Sequence, residues 1–162
     1  MDISILKENE IEEVSKLIEK TVRISFAAYY PQPMIEQIVK SLDYAGVKKR
    51  ASWTHFYVLK EQNQIIGCGA IGPYWDSLTE SSLFTIFVDP NCQGKGYGRK
   101  IMETLENDEY FLRAKRIEIP AGLVAIPFYK RMGYEYKNNE MIFNDGHFAM
   151  EKFNPNYVEK DL

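Results

Sequence analysis

The chain has 162 residues, 45% of them hydrophobic and 27% charged with mixed sign, which suits one domain with a real core and excludes extended disorder. A formal net charge of −3 argues against nucleic-acid binding as a main role, and two cysteines, Cys68 and Cys92, give no disulfide framework. No apolar run approaches the length of a membrane span, and Met1-Asp2-Ile3-Ser4 has neither a basic segment nor an apolar one behind it, so the expectation is a cytoplasmic protein without a membrane partner.

In chain order, Asp2–Leu6 alternates polar and apolar and reads as a first strand. Ile11, Val14, Leu17, Ile18 and Val22 follow helical spacing. Pro31 and Pro33 break the apolar stretch behind them, and a second helix is expected from about Met34 to Leu42. Phe56–Leu59 and Ile65–Ile71 are strands around the polar turn Glu61-Gln62-Asn63, an antiparallel hairpin. Residues 73–80 form a loop, and a strand over 82–88 leads through a glycine-rich turn to a helix ending near Glu106. Arg116–Ile119 is a short strand. Residues 122–131 are a helix whose Pro127 suggests a late start. Strands near Tyr134–Tyr136 and His147–Phe153 flank the turn Asn144-Asp145-Gly146, and the tail after Asn154 looks loosely held. The expectation is a single α+β domain over 1–154 with a tail at 155–162. Its mixed, mostly antiparallel sheet has about seven strands and about four helices.

The most informative segment is Gln93-Gly94-Lys95-Gly96-Tyr97-Gly98, between the strand and the helix. Its glycines let a backbone approach a bulky group, and free N–H groups at a helix start bind anions. Lys95, Arg99 and Lys100 crowd a helix start where positive charge is disfavoured, a penalty that a bound polyphosphate reverses. A P-loop fails here, because Gly94-Lys95 is followed by Gly96 and position 89 is Asp. A dinucleotide fingerprint fails because its third glycine is Arg99, which disposes of an oxidoreductase reading. The pattern Q/R-x-x-G-x-G/A fits in full through Gln93, Gly96 and Gly98. A second segment, Ala125-Ile126-Pro127-Phe128-Tyr129-Lys130-Arg131-Met132-Gly133-Tyr134, follows roughly thirty residues later.

The two segments together resemble the Gcn5-related N-acetyltransferases (GNAT). The resemblance spans about residues 3–153, with distinctive motifs confined to 81–134. It implies acetyl-CoA as co-substrate and acetyl transfer to the primary amine of a small molecule or peptide. It also implies that the fourth and fifth strands splay to admit the pantetheine arm. Implied cofactor contacts are Ile86, Phe87 and Val88 through the main chain, the loop Gln93, Gly94, Lys95, Gly96, Tyr97, Gly98 and Arg99, and Phe128. Tyr129 matches the family tyrosine that serves the departing sulfur. The base stays open. Ser82 stands where relatives often carry Glu, which leaves Glu80, Glu118, His147 or water. Gly122 stands where many relatives carry an Asn that contacts pantetheine. Tyr29, Tyr30, Tyr74 and Trp75 lie in the segments that shape the acceptor pocket in relatives. His55, His147, Cys68 and Cys92 lack metal-ligand spacing, so no metal is expected. A homodimer is compatible with the chain. The competing reading is a non-catalytic acyl-CoA sensor of the same fold.

Overall fold

Ile11, Val14, Leu17, Ile18 and Val22 form one stripe of α1 (Ile11–Ser25), and all five are buried. They pack with Ile35 of α2 (Gln32–Ser41) and Val47 of α3 (Tyr44–Ala51) on one face of a central sheet. The opposite face carries Ile101, Met102 and Leu105 of α4 (Tyr97–Glu106), Phe111 of α5 (Glu109–Leu112) and Tyr129 of α6 (Ile126–Arg131). Helices on both faces of one mixed sheet make an α+β fold, as the sequence predicts. The computed structural model describes residues 1–144 and 146–159.

The strands are β1 (Asp2–Ile5), β2 (His55–Glu61), β3 (Gln64–Pro73), β4 (Glu80–Val88), β5 (Arg116–Ala121), β6 (Glu135–Tyr136), β7 (Phe143–Asn144) and β8 (His147–Phe153). They lie in the order β1-β2-β3-β4-β5-β8-β6, with β7 paired to β8. Every pairing is antiparallel except β4 with β5. The expected hairpin joins β2 and β3, and Gln62 and Asn63 turn it with φ of 51° and 64°.

Among the described residues there are eight strands and six α-helices, and the elements beyond the expected seven and four are short. Only Val47 of α3 is buried, so α3 presents no apolar stripe; its sequence mark is Asp43, whose carboxylate accepts from the Gly46 N–H at 2.9 Å. Asp108 caps the single turn of α5 the same way, accepting from the Tyr110 N–H at 2.8 Å. The helix α2 starts before Met34 because Pro33 fits its first turn. The helix expected over 122–131 divides into a 3-10 turn, Leu123–Ala125, and α6, with Pro127 in its first turn. Asp145 of the expected turn, and residues 160–162 of the expected tail, lie outside the described residues. The start of the tail is anchored: buried Asn154 donates to the Ala114 carbonyl at 3.1 Å, and the Asn156 N–H donates to its side chain at 3.0 Å.

One packing detail positions the glycine loop. Gly69 of β3 lies under α4, and a Cβ there would sit 2.7 Å from Ile101 Cγ2. Gly67 meets Ile101 Cδ1 in the same way, at 2.9 Å. The missing side chains let α4 lie close on the sheet, which fixes its N-terminus beside the end of β4.

Candidate active site

β4 and β5 run side by side for three residue pairs only: Glu80 with Arg116, Ser81 with Ile117 and Ser82 with Glu118. Beyond Ser82 they part. The edge of β4 from Leu83 to Val88 has no strand on that side, and Pro120 of β5 has no N–H to offer across the gap. The closed end of this fork is held by Arg116. Its Nη1 donates to Glu118 at 2.9 Å and to Glu151 at 3.0 Å, and its Nε donates to Glu80. Burial alone would lower the Arg116 pKa; Glu80 and Glu118 outweigh it and raise it.

The open end is a cavity of about 830 Å³. Thr85 of β4 shapes its wall. The β3–β4 register slips between Cys68 and Ala70, opposite the bulged residues 85–86, and Thr85 takes φ of 57°. A β-branched residue in the left-handed region costs about 1–3 kcal/mol. Two contacts hold it there: Arg50 Nη1 donates to Thr85 Oγ1 at 3.2 Å, and the Cys68 thiol donates to the Thr85 carbonyl at 3.2 Å. Burial pushes the Cys68 thiol up to about 12, so it stays a neutral donor. The bulge interrupts the β3–β4 ladder at Thr85 and Ile86, both of which line the cavity.

The loop after β4 stands at the mouth of the cavity. Asp89 accepts from the Asn91 N–H at 2.8 Å and from Lys20 Nζ at 3.0 Å, and Gln93 Nε2 donates to the Val88 carbonyl at 3.1 Å. The Tyr97 hydroxyl donates to Glu61 at 2.9 Å. Gly94 and Gly96 have φ of 79° and 85°, and the space beside each is open. Gly96 caps α4 without a side-chain hydrogen bond, and Lys100 is the first amide that bonds back, to Gly96 O at 3.1 Å. The amides before it are free for a ligand. Lys95 and Arg99 are exposed beside them. Gly98 lies under Phe128; a Cβ there would meet the ring at 3.2 Å, so Phe128 ties α6 to the loop.

Of the residues singled out from sequence, Ile86, Phe87, Val88, Gln93, Glu118, Tyr129, Tyr30, Tyr74, Trp75 and His147 line the cavity. Gly94 to Arg99 and Phe128 are not on the wall; the loop follows Gln93, which is, and Gly98 packs against Phe128. Glu80 is not part of the wall, because Arg116 holds it at the closed end. Tyr29 is exposed and also takes no part. Tyr129 is 5% exposed and lines the cavity, and burial is the sole influence on its hydroxyl, with no hydrogen bond acting on it. Burial raises its pKa above the ordinary phenol value, so it remains a donor throughout the working range. Glu118 Oε1 accepts from Arg116 and from Lys137 Nζ, the latter at 3.0 Å. Among the described residues, no group of His, Cys, Asp and Glu is arranged to hold a metal ion. No described helix is long and apolar enough to cross a membrane.

The acetyltransferase (GNAT) domain family matches residues 52–136, just over half of the chain. The chain belongs to the GNAT family. No curated protein sequence matches it. Among solved structures, it is similar to the PaiA N-acetyltransferase of Thermoplasma acidophilum in complex with coenzyme A. The TM-score is 0.79 at 16% identity, covering 95% of this chain and 100% of that one. A GCN5-related N-acetyltransferase of Rhodopseudomonas palustris gives a TM-score of 0.76 at 17% identity, covering 94% of each chain. Aminoglycoside 6'-acetyltransferase type Ii gives 0.70 at 18% identity, covering 94% and 97%. At these identities the likeness is one of fold.

The departure of this GNAT chain at Gly122 has a local cause. Tyr30 reaches across the fork, its hydroxyl donating to the Gly146 carbonyl at 2.7 Å and accepting from the Leu123 N–H at 2.8 Å. A Cβ on Gly122 would lie 3.3 Å from that hydroxyl. The buried Tyr30 therefore occupies room that an asparagine would need, and sequence reading had no sign of the pairing because 92 residues separate the two. We expect Gly122→Asn to cost about 1–3 kcal/mol in chemical denaturation. On a Tyr30→Phe background the same change should cost clearly less. Equal costs on both backgrounds would show that the two residues do not compete for space.

Proposed function

We propose that this GNAT chain transfers an acetyl group from acetyl-CoA to the primary amine of a small molecule. The observation that carries the reading is the fork: a cavity between two parting parallel strands, with free helix-start amides at its mouth and an unpartnered tyrosine hydroxyl on its wall. The residues fit the co-substrate. Open space at Gly94 and Gly96, free amides and exposed Lys95 and Arg99 suit a pyrophosphate. The unpaired edge of Ile86, Phe87 and Val88 suits the amides of a pantetheine arm. Acetyl-CoA supplies an activated thioester, and attack by the amine nitrogen exchanges its C–S bond for a C–N bond.

In this reading main-chain donors near the Thr85 bulge stabilise negative charge on the acetyl oxygen. Tyr129 donates its hydroxyl hydrogen to the departing sulfur. A phenol near 10 is a weak donor to a thiolate near 8.5. Burial of Tyr129 raises its pKa further, so the hydroxyl acts chiefly as a hydrogen-bond donor. Of the two carboxylates lining the cavity, Asp76 is exposed and Glu118 lies deeper, and Glu118 accepts the amine proton through water. Its Oε1 is already occupied by Arg116 and Lys137, so a water is the natural bridge between the carboxylate and the amine. The cytoplasm, where thiols such as Cys68 and Cys92 stay reduced, is the compartment this reading suits.

The deciding assay is free-thiol release from acetyl-CoA against a panel of amines. Turnover with at least one amine supports the enzyme. Acetyl-CoA binding with no turnover across the panel would return the chain to the sensor reading. Tyr129→Phe keeps the ring and removes the hydroxyl, so turnover should fall by about 10- to 10,000-fold with little change in acetyl-CoA affinity. An unchanged rate would make Tyr129 a packing residue.

Glu118→Gln keeps the shape and removes the basicity. We expect a slower rate and loss of the acidic limb of the pH profile. Glu151→Gln touches the same Arg116 from outside the cavity and should keep that limb. A parent profile in Glu118→Gln would transfer the role to His147 or to bulk water.

A further inference from the structure

Arg50 is the last basic residue of α3, and it faces the half of the cavity walled by α1–α3. Its guanidinium lies 4.4 Å from the centroid of Phe84 and 5.6 Å from that of Trp53. One hydrogen bond, to Thr85 Oγ1, fixes it. A guanidinium carries five N–H donors. Among the described residues no carboxylate pairs with Arg50, whereas Arg116 meets three and Arg23 meets two. None of its nitrogens is sealed off without a partner, so the unused donors remain accessible on a residue that lines the cavity. Burial is the sole influence on its pKa and lowers it, as expected of a cation with no anion beside it.

A half-buried cation without an anion is costly to hold. Here the protein also stiffens it, with two aromatic rings and a threonine. That arrangement is a prepared fork for a planar anion. Phe84 lies against it, and the helical side of the wall sets the apolar Phe26, Ile38 and Leu42 beside the hydroxyls of Thr21, Ser25 and Ser41. The wall offers little to a second ammonium: Glu118 is already held by two cations, and Asp76 is exposed at the rim. Arg50 also touches the bulged residue itself, so an anion bound to it would lie close to the point where the acyl carbon is attacked.

We propose that Arg50 anchors the carboxylate of the acceptor, and that the acceptor is a small amino acid with an apolar body and a short spacing between its amine and its carboxylate. The assignment rests on the acetyltransferase reading, and binding of the reaction product tests it without turnover. The probes are N-acetyl amino acids with aliphatic and aromatic side chains, each paired with its primary amide, titrated into the full chain by calorimetry. The acid of at least one pair should bind about 10- to 100-fold more tightly than its amide, the range for a hydrogen bond to a charged group. Arg50→Gln should collapse that ratio toward one, and Arg50→Lys should keep part of it. Acetyl-CoA affinity should not follow the ratio. Acids and amides that bind the parent protein equally in every pair would overturn the proposal, whatever the variants do. Equal losses for acid and amide in Arg50→Gln would also overturn it, assigning Arg50 to the wall rather than to the anion. Failure of the acetyltransferase reading would look different: acids would still be preferred, but their parent amino acids would release no thiol.

Discussion

Everything in the site depends on how Arg116 joins β4 to β5. Three carboxylates from three strands converge on one buried guanidinium, with Lys137 completing the group. Removing the buried Arg116 would leave Glu80, Glu118 and Glu151 facing one another with Lys137 as the one cation, at a cost of about 3–5 kcal/mol. A surface pair such as Lys16–Glu12, with both side chains more than 70% exposed, contributes about 0–1 kcal/mol. The difference in scale explains why the strands stay together for three residues and are free to part afterwards. Glu80 belongs to this joint, and Glu118 belongs to both the joint and the cavity.

The remaining features follow from the parting. Once β4 leaves β5, its edge has no strand to pair with, and an unpaired edge in a protein interior is useful only if a ligand meets it. The bulge at Thr85 bends that edge and stores strain, offset by Arg50 on one side and Cys68 on the other. Gly67 and Gly69 bring α4 down so that its free amides stand where β4 ends. Tyr30 straps the far side by binding both Leu123 and Gly146. Strain, free amides and an unpaired edge thus converge on one cavity, and each would be a defect without a ligand there.

The sequence carried the parts of this that depend on local chemistry. Apolar spacing announced α1, and the polar turn Glu61-Gln62-Asn63 between two strand runs announced the β2–β3 hairpin. The glycine loop and the Phe128–Tyr129 segment announced the family. Short elements escaped because they bury little: α3 and α5 are marked only by their capping aspartates, Asp43 and Asp108. The three-residue joint at Arg116 escaped for another reason. Glu118 stands two residues from Arg116 on one strand, so that pair is legible, but Glu80 and Glu151 lie far along the chain and nothing near them says that they share the same cation. The same holds for Gly122 and Tyr30, and for Arg50 against Thr85, where the functional distance is short and the sequence distance long.

The central claim is that one ligand lies along the unpaired edge of β4 with its phosphates on the start of α4. Backbone amide chemical shifts, measured as acetyl-CoA is titrated into the full chain, test it at residue resolution. The account predicts that the amides of Ile86–Val88 and of Gly94–Arg99 move together, with one saturation curve, while those of β1 and β6 stay in place. Movement of the loop amides without those of β4, or of neither group, would contradict it.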